Sequence, residues 1–243
     1  MKKAAHIFFV LLALTQQVFA QEVVLFHNVN RDTSEGDYGP NRKNYWQRVT
    51  QVGFHFGETD SMGSDIELGN SFEFLTGFRY KRQFGAFYAI GFQLDVSYSN
   101  YRIKQTDEKV FGGQVEHDKE KLSLLKTGMA FYQRFNFAFK RGNHLGKYLD
   151  LGVYSDVQFY RRYILIDKID PLYGFEKHRT AFSKMTWLNN INYGVEARIG
   201  ISFFYIFGKY RLSDMLKHVT SFPYPELPRF TVGFGFEIGD IDE

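Results

Sequence analysis

Acidic and basic side chains recur on one alternating face of this sequence, set among Gly, Ala, Ser and Asn. Glu73, Asp95, Asp150, Asp156, Glu196 and Glu237 stand against Arg79, Lys126, Arg134, Arg162, Arg198 and Lys209. Six acids facing six bases can do two kinds of chemistry. They can satisfy one another as a structural ion-pair network, because buried charges need partners, or they can line a narrow polar path. Catalysis asks for tighter groupings. His27, His55, His117, His144, His178 and His218 are scattered, with no i, i+4 pair and no His/Asp/Glu set at metal-ligand spacing. A Ser or an acid could partner His178 in a long polar loop, but any loop of that composition offers such combinations. Gly112-Gly113 follows no strand-to-helix fingerprint and reads as a hydrated turn rather than a phosphate cradle. The chain has no Cys, which excludes disulfides, thiolate metal sites and a thiol-linked lipid anchor. The expectation is no catalytic residue, no cofactor and no metal.

The elements that position these charges are strands, because the side chains alternate with period two. Tyr88, Ile90, Phe92, Leu94, Val96 and Tyr98 share one face while Ala89, Gly91, Gln93, Asp95, Ser97 and Ser99 share the other. The same alternation predicts eight strands, at 44–57, 66–81, 85–104, 121–140, 147–165, 184–200, 202–212 and 229–239. Only 202–212 is ambiguous, since Phe203 to Phe207 is continuously apolar. Tight turns near Arg82, at 141–146 and near Ile201 alternate with longer polar connections at 58–65, 105–120, 166–183 and 213–228. Short turns on one side and long loops on the other are the pattern of an outer-membrane barrel. A turn centred on Gln83 would set Glu73 beside Gln93 and within diagonal reach of Asp95, with Arg134 and Lys209 as the bases to meet them.

Which face points inward is decided by volume. The apolar faces carry Phe, Leu, Val, Ile and Tyr on every clear strand, and aromatic residues make up 19% of the chain. An eight-stranded barrel has an interior only just wide enough for side chains to fill, so these cannot all lie inside, as a lipocalin-like soluble barrel would require. The expected fold is therefore all-β, an eight-stranded antiparallel up-and-down transmembrane β-barrel with the charged face inward. Trp187, Tyr98, Tyr101 and Tyr163 are expected in an outer aromatic girdle, and Tyr80, Phe84 and Tyr148 in a periplasmic one.

At the N-terminus Lys2 and Lys3, an apolar run ending at Leu14 and Val18-Phe19-Ala20 follow the order of a secretory signal. The run falls short of the roughly 20 residues a spanning helix needs. This gives a cleaved signal peptide at 1–20, a flexible periplasmic segment at 21–43 and the barrel at 44–243. The formal charge of +3 is partly the signal, and nothing beyond it resembles a nucleic-acid footprint.

Three stretches carry a resemblance: Asn192-Tyr193-Gly194-Val195-Glu196-Ala197-Arg198-Ile199-Gly200, the segment from Gly208 to Leu216, and Leu227-Pro228-Arg229-Phe230-Thr231-Val232-Gly233. With the signal and the barrel pattern, they make residues 22–239 resemble the Bacteroidetes-type outer-membrane β-barrel domain family (PorT-like). The resemblance implies outer-membrane localisation and, for some members, association with secretion or gliding machinery. One departure is the ending Gly239-Asp240-Ile241-Asp242-Glu243, without a terminal aromatic residue, so that Phe236 or Ile238 would have to serve assembly. The functional expectation is a non-enzymatic anchor, scaffold or binding protein with a plugged, charge-paired lumen. Its expected partners are outer-membrane lipid and an envelope protein contacted through loops or periplasmic turns, with no nucleic acid. A narrow channel and an outer-membrane enzyme acting on lipid or peptide are the alternatives.

Overall fold

The computed structural model describes residues 40, 42–57, 64–112, 115–137, 146–168, 177–217 and 225–239. The expected signal at 1–20 and most of the segment 21–43 lie outside them. Among the described residues nine strands occur: β1 Asn44–Phe56, β2 Phe72–Gln83, β3 Tyr88–Ile103, β4 Lys119–Asn136, β5 Lys147–Asp167, β6 His178–Ser183, β7 Ile191–Ile201, β8 Phe204–Arg211 and β9 Phe230–Ile238. All pairings are antiparallel, and eight of the strands close into a ring in the order β1-β2-β3-β4-β5-β7-β8-β9, with β9 returning to β1. Closure leaves no open edge along the ring, so every ring strand has a hydrogen-bonding neighbour on both sides.

The sorting of side chains follows the pleat. Charged, small and glutamine residues turn inward, and Phe74, Phe78, Leu94, Phe131, Val153, Val195, Ile206 and Phe234 are among the exposed outward side chains of successive strands. The ambiguous apolar run resolves the same way, with Tyr205 and Phe207 buried and Phe204 and Ile206 exposed.

The ninth strand is the departure from the expected eight. The β5–β7 ladder stops at Val157↔Ile191, and beyond it β5 pairs instead with β6, from Arg162↔Ser183 to Asp167↔His178. β4 stays paired with β5 as far as Lys119↔Ile166, so β3, β4, β5 and β6 extend past the ring at its loop end. The expected strand 184–200 accordingly begins only at Ile191. Its first residues cross the mouth of the ring, where Met185 and Leu188 join Tyr101, Ile103, Phe111, Leu122, Leu124, Tyr163, Met215, Leu216 and Leu227 in a buried apolar cluster, with Trp187 packed against it. That cluster caps the loop end.

Candidate functional site

At the turn end of the ring interior, Arg134 on β4 and Asp150 on β5 are register partners. Arg134 donates from Nε to Asp150 Oδ1 at 2.7 Å and from Nη2 to Oδ2 at 2.9 Å, a two-pronged pairing that fixes both groups. The same Nη2 reaches Glu237 Oε1 at 2.9 Å from across the lumen. Arg79 closes the square, donating to Asp150 Oδ2 at 2.8 Å and also to Glu237. Both guanidinium groups lie over rings, Arg79 at 3.7 Å from the centre of Tyr132 and Arg134 at 3.7 Å from that of Tyr148.

Glycine makes room for those rings. Gly91 and Gly152 flank Tyr132 in register on the neighbouring strands. A Cβ on Gly152 would come within 3.1 Å of the Tyr132 Cβ, and one on Gly91 would overlap the Tyr132 ring. At Gly91, glycine, the Tyr132 ring and the Arg79 guanidinium thus stack toward the lumen axis.

Nearer the loop end, Glu73 is the hub. It accepts from Lys126 at 2.6 Å, Lys209 at 2.9 Å and Ser99 Oγ at 3.0 Å, and Lys126 also reaches Asp156 at 3.2 Å. Between the two groups Arg198 donates to Gln93 Oε1 at 2.7 Å and to Glu196 at 3.2 Å, while Gln93 donates to Asp95 at 2.6 Å. The expected Lys209 partnership with Glu73 is present, but Arg134 serves Asp150 and Glu237 instead. The reason is register. The β2–β3 turn runs through Phe84 to Phe87 and is not centred on Gln83, which pairs Glu73 with Ser99 and Arg79 with Gln93.

Eleven of the twelve expected lumen charges are buried; Arg162 is not. The β4–β5 register shifts between Leu125 and Lys126, which pair with Tyr160 and Gln158, leaving Phe159 as the extra residue of a β-bulge. The bulge inverts the parity of β5 beyond it. Arg162 therefore pairs with outward-facing Ser123, and Tyr163 turns inward to pair with Leu122. The expected outer girdle is corrected accordingly. Tyr163 and Tyr101 are buried in the cap and Trp187 packs on it, leaving Tyr98 exposed. Tyr148, expected in the periplasmic girdle, is inside beneath Arg134, while Phe84 is exposed.

Other buried charges were missed although they keep the parity of their neighbours. Lys81 lies two residues from Arg79, Arg211 two from Lys209, and Glu120 six from Lys126. Arg211 donates to Glu226 at 2.6 Å, and Glu226 also accepts the backbone N–H groups of Met215 and Leu216, tying down the loop before β9. Glu120 is paired with Lys109 and accepts from Tyr163. Among the described residues the fully sequestered charges number eight bases (Arg79, Lys81, Lys109, Lys126, Arg134, Arg198, Lys209 and Arg211) and eight acids (Glu73, Asp95, Glu120, Asp150, Asp156, Glu196, Glu226 and Glu237). Among the described residues the buried charges therefore balance.

The chemistry this arrangement can do is limited by space. The cavity lined by His55, Glu73, Lys126, Asp156 and Lys209 leaves only ≈ 20 Å³ for the centre of a water molecule, about one water's worth. Arg79, Arg134 and Arg198 have 0% exposure. No family model matches the chain, and no curated protein does.

Three histidines lie among the described residues, and His178 Nε2 meets Thr180 Oγ1 at 3.1 Å. His55 is buried, hydrogen-bonded through Nδ1 to Thr231 Oγ1 at 2.9 Å and stacked on Tyr101. His117 meets Asp167 at 2.7 Å, and among the described residues no hydroxyl group is bonded to the His117 ring. His178 is Asp167's register partner on β6. Among the described residues no three His, Cys, Asp or Glu side chains could hold a metal ion. His27, His144, His218 and Gly113 lie outside the described residues.

Proposed function

We propose that this chain is a small integral outer-membrane β-barrel protein, exported by its signal peptide, that acts as a non-enzymatic anchor or scaffold with a plugged lumen. The observation that carries the reading is the inversion of the two faces. The ring surrounds itself with exposed Phe, Leu, Ile and Val on every strand, and buries its Arg, Lys, Glu and Asp inside. In water that arrangement would expose apolar surface far beyond the few hundred Å² a soluble monomer tolerates. In lipid it is the favourable one, because hydrocarbon accepts the belt and the closed ring satisfies the backbone of its strands. Charge-balanced, close packing of the described interior residues supports a plug rather than a conduit. The resemblance to the PorT-like family agrees with a partner in an envelope machinery, met by the loop-end extension or the turns.

The test has two parts. The protein should fractionate with the outer membrane and migrate differently on a denaturing gel before and after boiling. Reconstituted in planar bilayers, it should leave conductance at baseline. Soluble periplasmic recovery without a heat-modifiable band would overturn the membrane reading, and stable single-channel currents would overturn the plug.

A further inference from the structure

Beyond the apolar belt, on the outward face of the loop-end extension, five cations gather with one acid paired to them among the described residues. Arg102 on β3 and Lys121 on β4 stand directly opposite one another. Lys119 lies two residues further along β4, Arg162 on β5 is the partner of Ser123, and Arg179 on β6 is the partner of Ile166. Lys119, Lys121 and Ser123 share one face of β4, so these register relations place all five cations on the same side of the sheet. Lys121 feels the charges of Arg179, Arg102, Arg162 and Lys119 together. The acid paired with this group is Glu67, 2.8 Å from Arg102 Nε. Like charges set directly opposite one another on neighbouring strands are destabilising, so the patch is built at a cost that an external anion would remove.

The place of the patch says which anion. Following the outward face up β3, β4 and β5, Val96, Thr127 and Val157 form one cross-strand row, and Tyr98, Leu125 and Tyr160 form the next. Tyr98 and Tyr160 are exposed on the outside, as aromatic residues at a membrane–water interface are. The next rows hold Arg162, then Arg102 and Lys121, then Lys119 and Arg179. They lie two to six residues past the tyrosines, the nearest about 7 Å along a tilted strand, which is the depth of a headgroup layer above the hydrocarbon. Hydrocarbon side chains, interfacial tyrosines and cations thus follow in the order of acyl chain, interface and phosphate.

We infer that the outward patch of Arg102, Lys119, Lys121, Arg162 and Arg179 binds the phosphate groups of a phosphorylated glycolipid in the outer leaflet. The site holds the β5–β6 hairpin against the membrane surface. The inference rests on the membrane-barrel reading and adds a ligand to it. It also gives the bulge at Phe159 a use, because without that inversion Arg162 would turn into the lumen.

The test uses the full chain folded in detergent micelles, with lipid A as probe, dephosphorylated lipid A as control and inorganic phosphate as competitor. Wild-type protein should bind lipid A at least tenfold more tightly than the dephosphorylated lipid, and millimolar phosphate should compete poorly. The double variant Lys121→Gln, Arg162→Gln should lose most of that preference with its heat-modifiable gel shift unchanged, whereas Lys121→Arg, Arg162→Lys should keep it. Equal affinity for the two lipids, full competition by inorganic phosphate, or an unaffected Gln double variant overturns the inference. If the wild-type chain shows no gel shift and does not enter micelles, the barrel reading itself fails, which separates the two outcomes.

Discussion

Arg134 and Asp150 face one another from paired positions on adjacent strands and are joined by two parallel hydrogen bonds, at 2.7 and 2.9 Å. Asp150 also holds Arg79, and Arg134 also holds Glu237 from the far side of the ring. Removing either member therefore leaves a buried charge behind.

Arg134→Ala should accordingly cost about 3–5 kcal/mol, the usual penalty for breaking one side of a buried pair. The temperature at which the unboiled band converts to the boiled form should fall clearly, while bilayer conductance stays at baseline. An unchanged conversion temperature together with new or altered single-channel current would mean that the charges line a path.

Gly91→Ala probes the stacking beneath those charges. The added methyl would overlap the backbone carbonyl oxygen of Tyr80 first and then the Tyr132 ring, on which Arg79 lies. Overpacking of this kind typically costs about 1–3 kcal/mol. Combining Gly91→Ala with Tyr132→Leu should not restore the loss, because the Tyr80 carbonyl oxygen stays in place and Arg79 loses the ring beneath it. Wild-type thermal stability in Gly91→Ala would contradict the packing described.

Accessibility separates two lysines of the loop-end connections. Lys168 has 72% of its side chain exposed, paired with Asp118 at 3.7 Å, whereas Lys109 is buried against Glu120. Trypsin added to intact cells should cut after Lys168 and spare Lys109, although the polar composition of both loops suggests cleavage at either. Preferential cutting after Lys109 would show that the cap is open. Arg141, in the expected turn on the opposite side, lies outside the described residues.

The sequence makes the alternation legible because a closed ring with one lipid-like face and one charged face imposes period two on every strand. Parity alone is enough to assign Glu73, Asp95, Lys126 and Arg134 to the interior. It would also have assigned Tyr101 and Tyr148, had parity been given priority over their nearness to strand ends. Register was not legible, because it depends on how many residues the turn after β2 consumes. Nor was the bulge at Phe159, since an inserted residue leaves no mark in a segment rich in Tyr and Arg on both faces, and Arg162 was misplaced for that reason. β6 was missed because His178 to Ser183 shows no apolar alternation; it is a strand by virtue of the free edge that β5 offers beyond β7.

The most direct test of the central claim uses the chain's two tryptophans. Trp46 faces outward on β1, beside Tyr80 and Phe92, whereas Trp187 packs on the cap against Phe111 and Tyr163. Single-tryptophan variants, Trp187→Phe and Trp46→Phe, would be reconstituted in vesicles whose acyl chains carry bromine, and their fluorescence compared with that in unbrominated vesicles. Strong quenching of Trp46 with little quenching of Trp187 is the result expected of a barrel whose apolar belt meets hydrocarbon. Trp46 fluorescence indifferent to bromine, in protein that stays in the aqueous phase, would contradict it.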